Sequence, residues 1–355
     1  MTSDWHDDSS ATALIDRRNV LNPAERRNVM SNNKLEYRTA ESVSPRHPDK
    51  LCDRISDAIL DACLIQDPNS RAAIEVMGGH GIITITGELT TKAYVDMRDI
   101  ARRIADDQYG VQVNVVKQSP EIAAGVDTGG AGDQGIMIGY ACDETPEMLP
   151  LEVVLARRLN QFIYEKFPFD GKTQVTLRNG EIESIVASFQ NAPKSELENL
   201  IKRWLEQKDF SSLKTKIFIN PAGDWSQGGF EADTGLTGRK LVIDNYGPRI
   251  SIGGGAFSGK DASKVDRSAA YMARRIAVDY LRERKAKEVF VRLSYAIGIA
   301  DPIEKSIIID GIHEEVSDKY NLTPRGIIKK LGLKKPIFEP TAKYGHFGEG
   351  FVWDK

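Results

Sequence analysis

Two hydrophobic rhythms alternate along this chain. Short runs of alternating or continuous apolar residues are followed, three times over, by a segment whose apolar positions recur every three or four residues. In the first unit, residues 72–77 and 82–88 read as strands joined through Gly78-Gly79-His80-Gly81, and Val95, Ile100, Ile104 and Ala105 predict a helix. In the second, strands at 173–177 and 183–188 flank Arg178-Asn179-Gly180, where Asn-Gly is a strong hairpin signal. Its helix covers 194–207, with Leu197, Leu200, Ile201 and Leu205 on one face. In the third, strands at 289–296 and 306–309 precede a helix at 324–331. Two further helices are predicted. One runs from Pro48 to Gln66 on Leu51, Ile55, Ile59, Ala62 and Cys63, and ends at Asp67-Pro68. The other starts near Ala262, with Val265, Ala269, Met272, Ile276 and Tyr280 facing inward.

The pattern predicts an α+β fold of three pseudo-repeated subdomains, each laying helices on a β-sheet. The units share a pattern and no strong residue-level identity. The expected divisions are a polar, disordered or loosely helical extension at 1–34, then subdomains at 35–120, 121–227 and 228–355.

Composition narrows the class. At 355 residues the chain exceeds a single typical core. A net charge of −3 argues against a general nucleic-acid binder, so any basic function must be local. Cys52, Cys63 and Cys142 have no metal-like spacing and read as reduced thiols of an intracellular, cytoplasmic protein, with Cys63 inside a helix. No apolar run suits a membrane span, the N-terminus lacks a secretory pattern, and Asp4, Asp7 and Asp8 disfavour a transit peptide.

The candidate chemistry sits at junctions. Residues 252–271 place a glycine-rich loop before a helix, studded with Lys260, Asp261, Lys264 and Asp266. Close backbone approach, lysines and metal-binding acids suit a polyphosphate with its cations. Gly254 to Lys260 fits G-x-x-x-x-G-K, but Asp261 stands where a P-loop carries the Mg²⁺-binding hydroxyl. Taken alone, the loop reads more plainly as a turn capping a surface helix. Gly130-Ala131-Gly132-Asp133-Gln134-Gly135 matches G-x-G-x-x-G, yet a strand-like run at 136–140 follows it, so no dinucleotide fold is read here. Its glycines predict a mobile loop presenting Asp133. Pro48 suits the first position of a helix and sets His47 at its start. Arg239-Lys240 is expected at the start of a strand, 241–243, which would turn the two cations to opposite faces. Trp225 could stack on a base or be a buried aromatic.

Together these segments resemble the S-adenosylmethionine synthetase (methionine adenosyltransferase) family. The resemblance rests on His47-Pro48-Asp49-Lys50, Gly87-Glu88-Leu89-Thr90-Thr91, Lys117-Gln118-Ser119-Pro120, residues 130–135, 233–240 and 253–271, and Tyr344-Gly345-His346-Phe347-Gly348, in the family's order. It covers the chain from about Ala40 onward and implies the family's three-subdomain fold. It also implies transfer of adenosyl from ATP to the methionine sulfur, then hydrolysis of tripolyphosphate to pyrophosphate and phosphate. By resemblance, His47, Asp133, Lys172 and Arg239 are catalytic. ATP falls to His47, Asp170, Lys172, Trp225, Asp233, Arg239, Lys240, Ala256 and Lys260. Methionine falls to Glu88, Gln118, Asp233 and Lys264. Asp49 and Asp266 would hold Mg²⁺, and Glu75 K⁺. The family's site lies between two subunits, which implies a dimer or tetramer; no nucleic-acid or membrane partner is expected. Departures are Pro45-Arg46 for the family's Glu-Gly, Asp224-Trp225 for Arg-Phe, Ser188-Phe189-Gln190-Asn191 for Ser-Thr-Gln-His, and shorter stretches between Glu88 and Gln118 and between Gln118 and Asp133, the latter holding the gating loop. These departures leave open a divergent, non-catalytic subunit; a P-loop phosphotransferase is the third reading.

Overall fold

Among the described residues three four-stranded sheets organise the chain, and none is built from one continuous stretch of sequence. The computed structural model describes residues 35–118, 129–207 and 214–355. The extension at 1–34 and most of the expected gating loop, 119–128, lie outside the described residues.

The elements run β1 (Tyr37–Val43), α1 (Pro48–Gln66), β2 (Arg71–Gly79), β3 (Ile82–Thr90), α2 (Met97–Ala105), β4 (Gly110–Val116) and β5 (Gly135–Cys142). Then come α3 (Leu151–Lys166), β6 (Gly171–Arg178), β7 (Glu181–Phe189), α4 (Lys194–Gln207), β8 (Lys216–Ile219), β9 (Gly235–Leu236) and α5 (Leu241–Asp244). Finally come α6 (Val265–Arg284), β10 (Glu288–Tyr295), β11 (Glu304–Ile309), β12 (Ile312–Glu315) and α7 (Pro324–Leu331).

The sheet orders are β1-β6-β7-β8, β12-β11-β10-β5 and β4-β3-β2-β9. Each sheet therefore takes one edge strand from a distant part of the chain. Tyr37 pairs with Arg178, Glu288 with Cys142, and Met77 with Leu236. The exchange runs in a circle: the first stretch lends a strand to the middle sheet, the middle to the last, and the last to the first. The repeat seen in the hydrophobic pattern is thus real, and the sheets are interlocked.

Local signals explain several elements. Asn179 and Gly180 both have positive φ, 51° and 80°, as the tight turn between β6 and β7 requires. Asp96 caps α2, accepting from the Arg98 and Asp99 amides, so the helix starts at Met97 and leaves Val95 outside. The strand expected at 241–243 is instead the short helix α5. The Asp244 amide donates to the Lys240 carbonyl (2.8 Å), and the buried Asp244 carboxylate pairs with Lys50 (2.5 Å). That buried ion pair turns the segment inward, which an apolar strand reading could not anticipate.

One large core joins α1, α6 and the two sheets carrying β2 and β10; a second packs α3 and α4 on the β6–β7 hairpin. The three cysteines are buried and unpaired. Among the described residues no helix is long and apolar enough to cross a membrane.

Candidate active site

The start of α1 is the densest meeting point of the expected residues. His47 is the N-cap, and its Nδ1 accepts from the Asp49 amide (3.2 Å). Nδ1 being an acceptor, the ring carries its proton on Nε2. Burial, with the nearby Lys240 ammonium, holds the imidazole down at about 3, so it stays neutral. Asp49, in the first turn, accepts from the Leu236 amide (2.9 Å) and from Lys240 Nζ, with Arg239 Nε 3.7 Å away. Burial would raise this carboxyl, but the Lys240 ammonium and the Leu236 amide outweigh it and hold the group below its usual range. Both expected cations therefore reach the same carboxylate. The alternation that would have separated them requires a strand, and α5 replaces it.

Gly235 makes the close approach possible. A Cβ there would lie 2.3 Å from the Pro48 carbonyl, so only glycine lets β9 run against the start of α1. Across from it, Val43 pairs with Lys172 at the start of β6, which brings the Asp170–Lys172 run beside His47. Asp170 accepts from the Gly229 amide (2.9 Å), and burial pushes it up to about 6. Asp233 stays exposed at the head of β9.

Trp225 is half-buried, with its carbonyl accepting from the Asn191 amide (2.9 Å). Gln190 ties this loop to β6: its Oε1 accepts from the Asp170 amide (3.3 Å), and its Nε2 donates to the Ser226 carbonyl (2.9 Å). A cavity of about 380 Å³ opens alongside, lined by Arg46, Phe169, Asp170, Gln190, Gly228 and Phe230 among others.

A second set gathers on the outward face of β2 and β3 and in the loop before α6. Glu75 and Glu88 share that face, since Glu75 pairs with Thr86 and Ala73 with Glu88. Glu88 also pairs with Val116, which brings Gln118 near, and the buried Gln118 Oε1 has no hydrogen-bond partner among the described residues. Lys260 pairs with Asp266 (2.7 Å), and Lys264 pairs with Asp261. Asp133 is exposed two residues before Gly135, itself packed on Asp266.

The glycine-rich loop is not wrapped around a helix start. Gly259–Asp261 instead runs beside β2, with the Ile74 amide donating to Gly259 O (3.1 Å) and the Asp261 amide to Ala72 O (3.1 Å). Gly259 has φ +81°, and a Cβ there would lie 2.0 Å from Ile74 O. Asp261 is a structural acid, accepting from the Ala72 amide (2.9 Å) as well as from Lys264. This backbone path, and not a defective P-loop, explains the missing hydroxyl.

Among the described residues, no hydrogen bond or ion pair joins the His47–Lys240 set to the Lys260–Asp266 set, although Ala256 lies against Gly238. Nor do three His, Cys, Asp or Glu side chains gather into a ready metal cage.

Two departures from the expected pattern have structural explanations. Arg46 bonds the Ile104 carbonyl (3.2 Å) and pairs with Asp106 (3.1 Å), capping α2 and leaving its charge balanced. Asp224 accepts from the Lys194 amide (3.2 Å) at the start of α4 and from Asn220 Nδ2 (2.8 Å). Asp224→Ala is therefore expected to lower stability slightly through the lost cap, with less than a twofold change in the KM for ATP. Urea unfolding beside steady-state kinetics checks both.

Sequence reasoning missed Asp53, Asp57, Gln190 and Arg267 as supports of the site. Aspartates recurring every four residues along 49–61 were the available signal.

Family models for the N-terminal, central and C-terminal domains of S-adenosylmethionine synthetase match residues 36–120, 128–225 and 227–355. An S-adenosylmethionine synthase of Treponema denticola is 42% identical over 375 residues, covering 91% of this chain and 96% of that protein. One from Brachyspira hyodysenteriae is 41% identical over 383 residues, covering 92% and 97%.

Proposed function

The chain belongs to the S-adenosylmethionine synthetase family and is a methionine adenosyltransferase; from that premise we propose how its residues divide the work. The methionine sulfur attacks C5′ of ATP with its lone pair. The C5′–O5′ bond breaks, and O5′ leaves with the bonding electrons as tripolyphosphate. Water then cleaves the bound tripolyphosphate to pyrophosphate and phosphate in the same site. The observation that carries this reading is the convergence of His47, Asp49, Arg239 and Lys240 on one buried helix start.

In this reading His47 donates its Nε2–H to the leaving O5′. A neutral donor aimed where charge develops favours the transition state over the ground state. Lys172, Arg239, Lys240 and Lys260 hold the triphosphate. Asp170, Asp233, Trp225 and the Ala256 backbone hold the nucleoside part. Glu88, Gln118, Asp233 and Lys264 hold methionine, and the unpartnered Gln118 Oε1 fits an acceptor awaiting a ligand donor. Asp133 favours the growing sulfonium charge.

Mg²⁺ suits Asp49 and Asp266. It commonly uses one or two carboxylates together with substrate phosphates, so a complete protein cage is not needed. Each carboxylate is now balanced by a lysine, Lys240 and Lys260, which a triphosphate would draw toward itself. When bound, the metal neutralises phosphate charge. Glu75 offers a hard oxygen for K⁺.

The separation of the two residue sets within one chain supports a site completed by a second copy. A dimer is then the smallest competent unit, and a tetramer is compatible with it. The proposed divisions are 35–120, 121–227 and 228–355, following an extension at 1–34.

Mass spectrometry of products from ATP, with and without methionine, in Mg²⁺ and K⁺, tests the reading. S-adenosylmethionine, pyrophosphate and phosphate in equal amounts are expected. Accumulation of intact tripolyphosphate would remove the hydrolytic step, and absence of the sulfonium product would remove the whole assignment.

A further inference from the structure

Helix α1 carries an aspartate on each successive turn of one face: Asp49, Asp53, Asp57 and Asp61. Every one accepts backbone amides from a segment far away in sequence. Asp49 takes the Leu236 amide (2.9 Å), Asp53 the Gly238 amide (2.8 Å) and Asp57 the Gly259 amide (2.9 Å). Asp61 takes those of Phe338 (2.9 Å) and Glu339 (2.8 Å). A four-residue step nearly repeats the helical turn, so the carboxylates form a row about 6 Å apart.

We propose that Asp53 and Asp57 are positioning residues: from adjacent turns each anchors one loop bearing phosphate-binding cations, Asp53 the Arg239–Lys240 loop and Asp57 the Lys260 loop. The proposal rests on the reading that these cations hold the triphosphate.

The anchors are rigid. Asp53 and Asp57 are fully buried. Asp57 grips Arg267 with both oxygens (2.6 and 2.8 Å), and Arg267 in turn donates to the Lys260 carbonyl (3.0 Å). The Gly259 amide and the Lys260 carbonyl are therefore both tied to one ion pair. The Phe338 ring, whose amide Asp61 holds, stacks under Arg267 at 4.1 Å and seals it from water. Asp53 shares the buried Lys50 (3.0 Å) with Asp244, and its Gly238 bond lies one residue before Arg239. Buried ion pairs are poor stabilisers compared with apolar packing of the same volume. Two on adjacent turns, each bonded to a loop amide, suit a role in geometry. A displacement near 1 Å can cost about a hundredfold in a preorganised site.

The test uses the full chain carrying Asp53→Ala. Removing Asp53 leaves Lys50 and Asp244 as a balanced pair, so the variant is expected to fold; Asp53→Asn is the milder second variant. Hydrogen exchange over residues 234–242 should show lost protection at the Gly238 amide. The dissociation constant for tripolyphosphate with Mg²⁺, by calorimetry, is expected to rise about 10- to 100-fold, while the KM for methionine moves less than twofold. A folded Asp53→Ala protein with unchanged tripolyphosphate affinity overturns the proposal, as does an equal loss for both substrates. Lys240→Ala and Lys260→Ala serve as controls. If these too leave tripolyphosphate affinity unchanged, the assignment of the triphosphate site fails instead.

Discussion

Replacing His47 with alanine is expected to lower kcat by about 10²- to 10³-fold, the usual loss when one preorganised donor to a developing oxyanion is removed. The side chain has two separable functions. Its Nδ1 caps α1 through the Asp49 amide, which leaves the Nε2–H as the donor proposed for O5′. The cap is worth about 1 kcal/mol, so the variant should remain folded, with only a small drop in unfolding free energy. The expected signature is a large fall in kcat with little change in the KM for either substrate, because the lost bond strengthens only as charge grows on O5′. Asp170 and Lys172 beside it are expected to keep nucleotide binding intact. Turnover retained at the unsubstituted rate would assign leaving-group stabilisation to the lysines and reduce His47 to a capping residue.

Asp266→Asn is expected to act differently. The carboxylate lies in the first turn of α6, where Asn is also tolerated, and its present partner is Lys260 at 2.7 Å. Losing one hard anionic oxygen from the proposed Mg²⁺ pair should raise the Mg²⁺ concentration for half-maximal rate by about tenfold or more. At fixed, low Mg²⁺ the rate should then fall by about the same factor, recovering in part as Mg²⁺ rises. Recovery is what separates a metal role from a structural one, since a misplaced Lys260 would not be corrected by more Mg²⁺. The same titration on His47→Ala should show no shift in metal requirement. An unshifted Mg²⁺ curve for Asp266→Asn would leave that acid as nothing more than the partner of Lys260.

Elements with local causes were the ones legible in advance. The helices at 48–66 and 194–207 matched their expected limits, because Pro48, the Asp67 stop and the apolar spacing all act within a turn or two. The Asn179-Gly180 hairpin followed from residues that accept positive φ. The lending of edge strands was hidden. Strands β1, β5 and β9 carry no mark of their partners, since backbone pairing is the same with any strand and only the closed core selects among them. The helix at 241–244 was misread for the same reason: Asp244 turns inward to Lys50, from another part of the chain.

The candidate chemistry divides along the same line. By itself the sequence determined which side chains are available: a histidine beside a helix-starting proline, paired acids and lysines, and glycines where backbones must touch. These are properties of residue type and near neighbours. The tertiary structure alone decided which of them meet. Arg239 and Lys240 turn to one carboxylate, Asp261 becomes a support while Asp266 keeps a lysine it can release, and Arg46 and Asp224 cap helices in place of altering the site. Coulomb and hydrogen-bond energies depend on separation in space, and in a buried site a few ångströms determine whether a charge is paired. The row of aspartates on α1 sits at both levels. Its four-residue spacing is plain in the sequence, and its use, as anchor for loops nearly two hundred residues or more away, exists only in the fold.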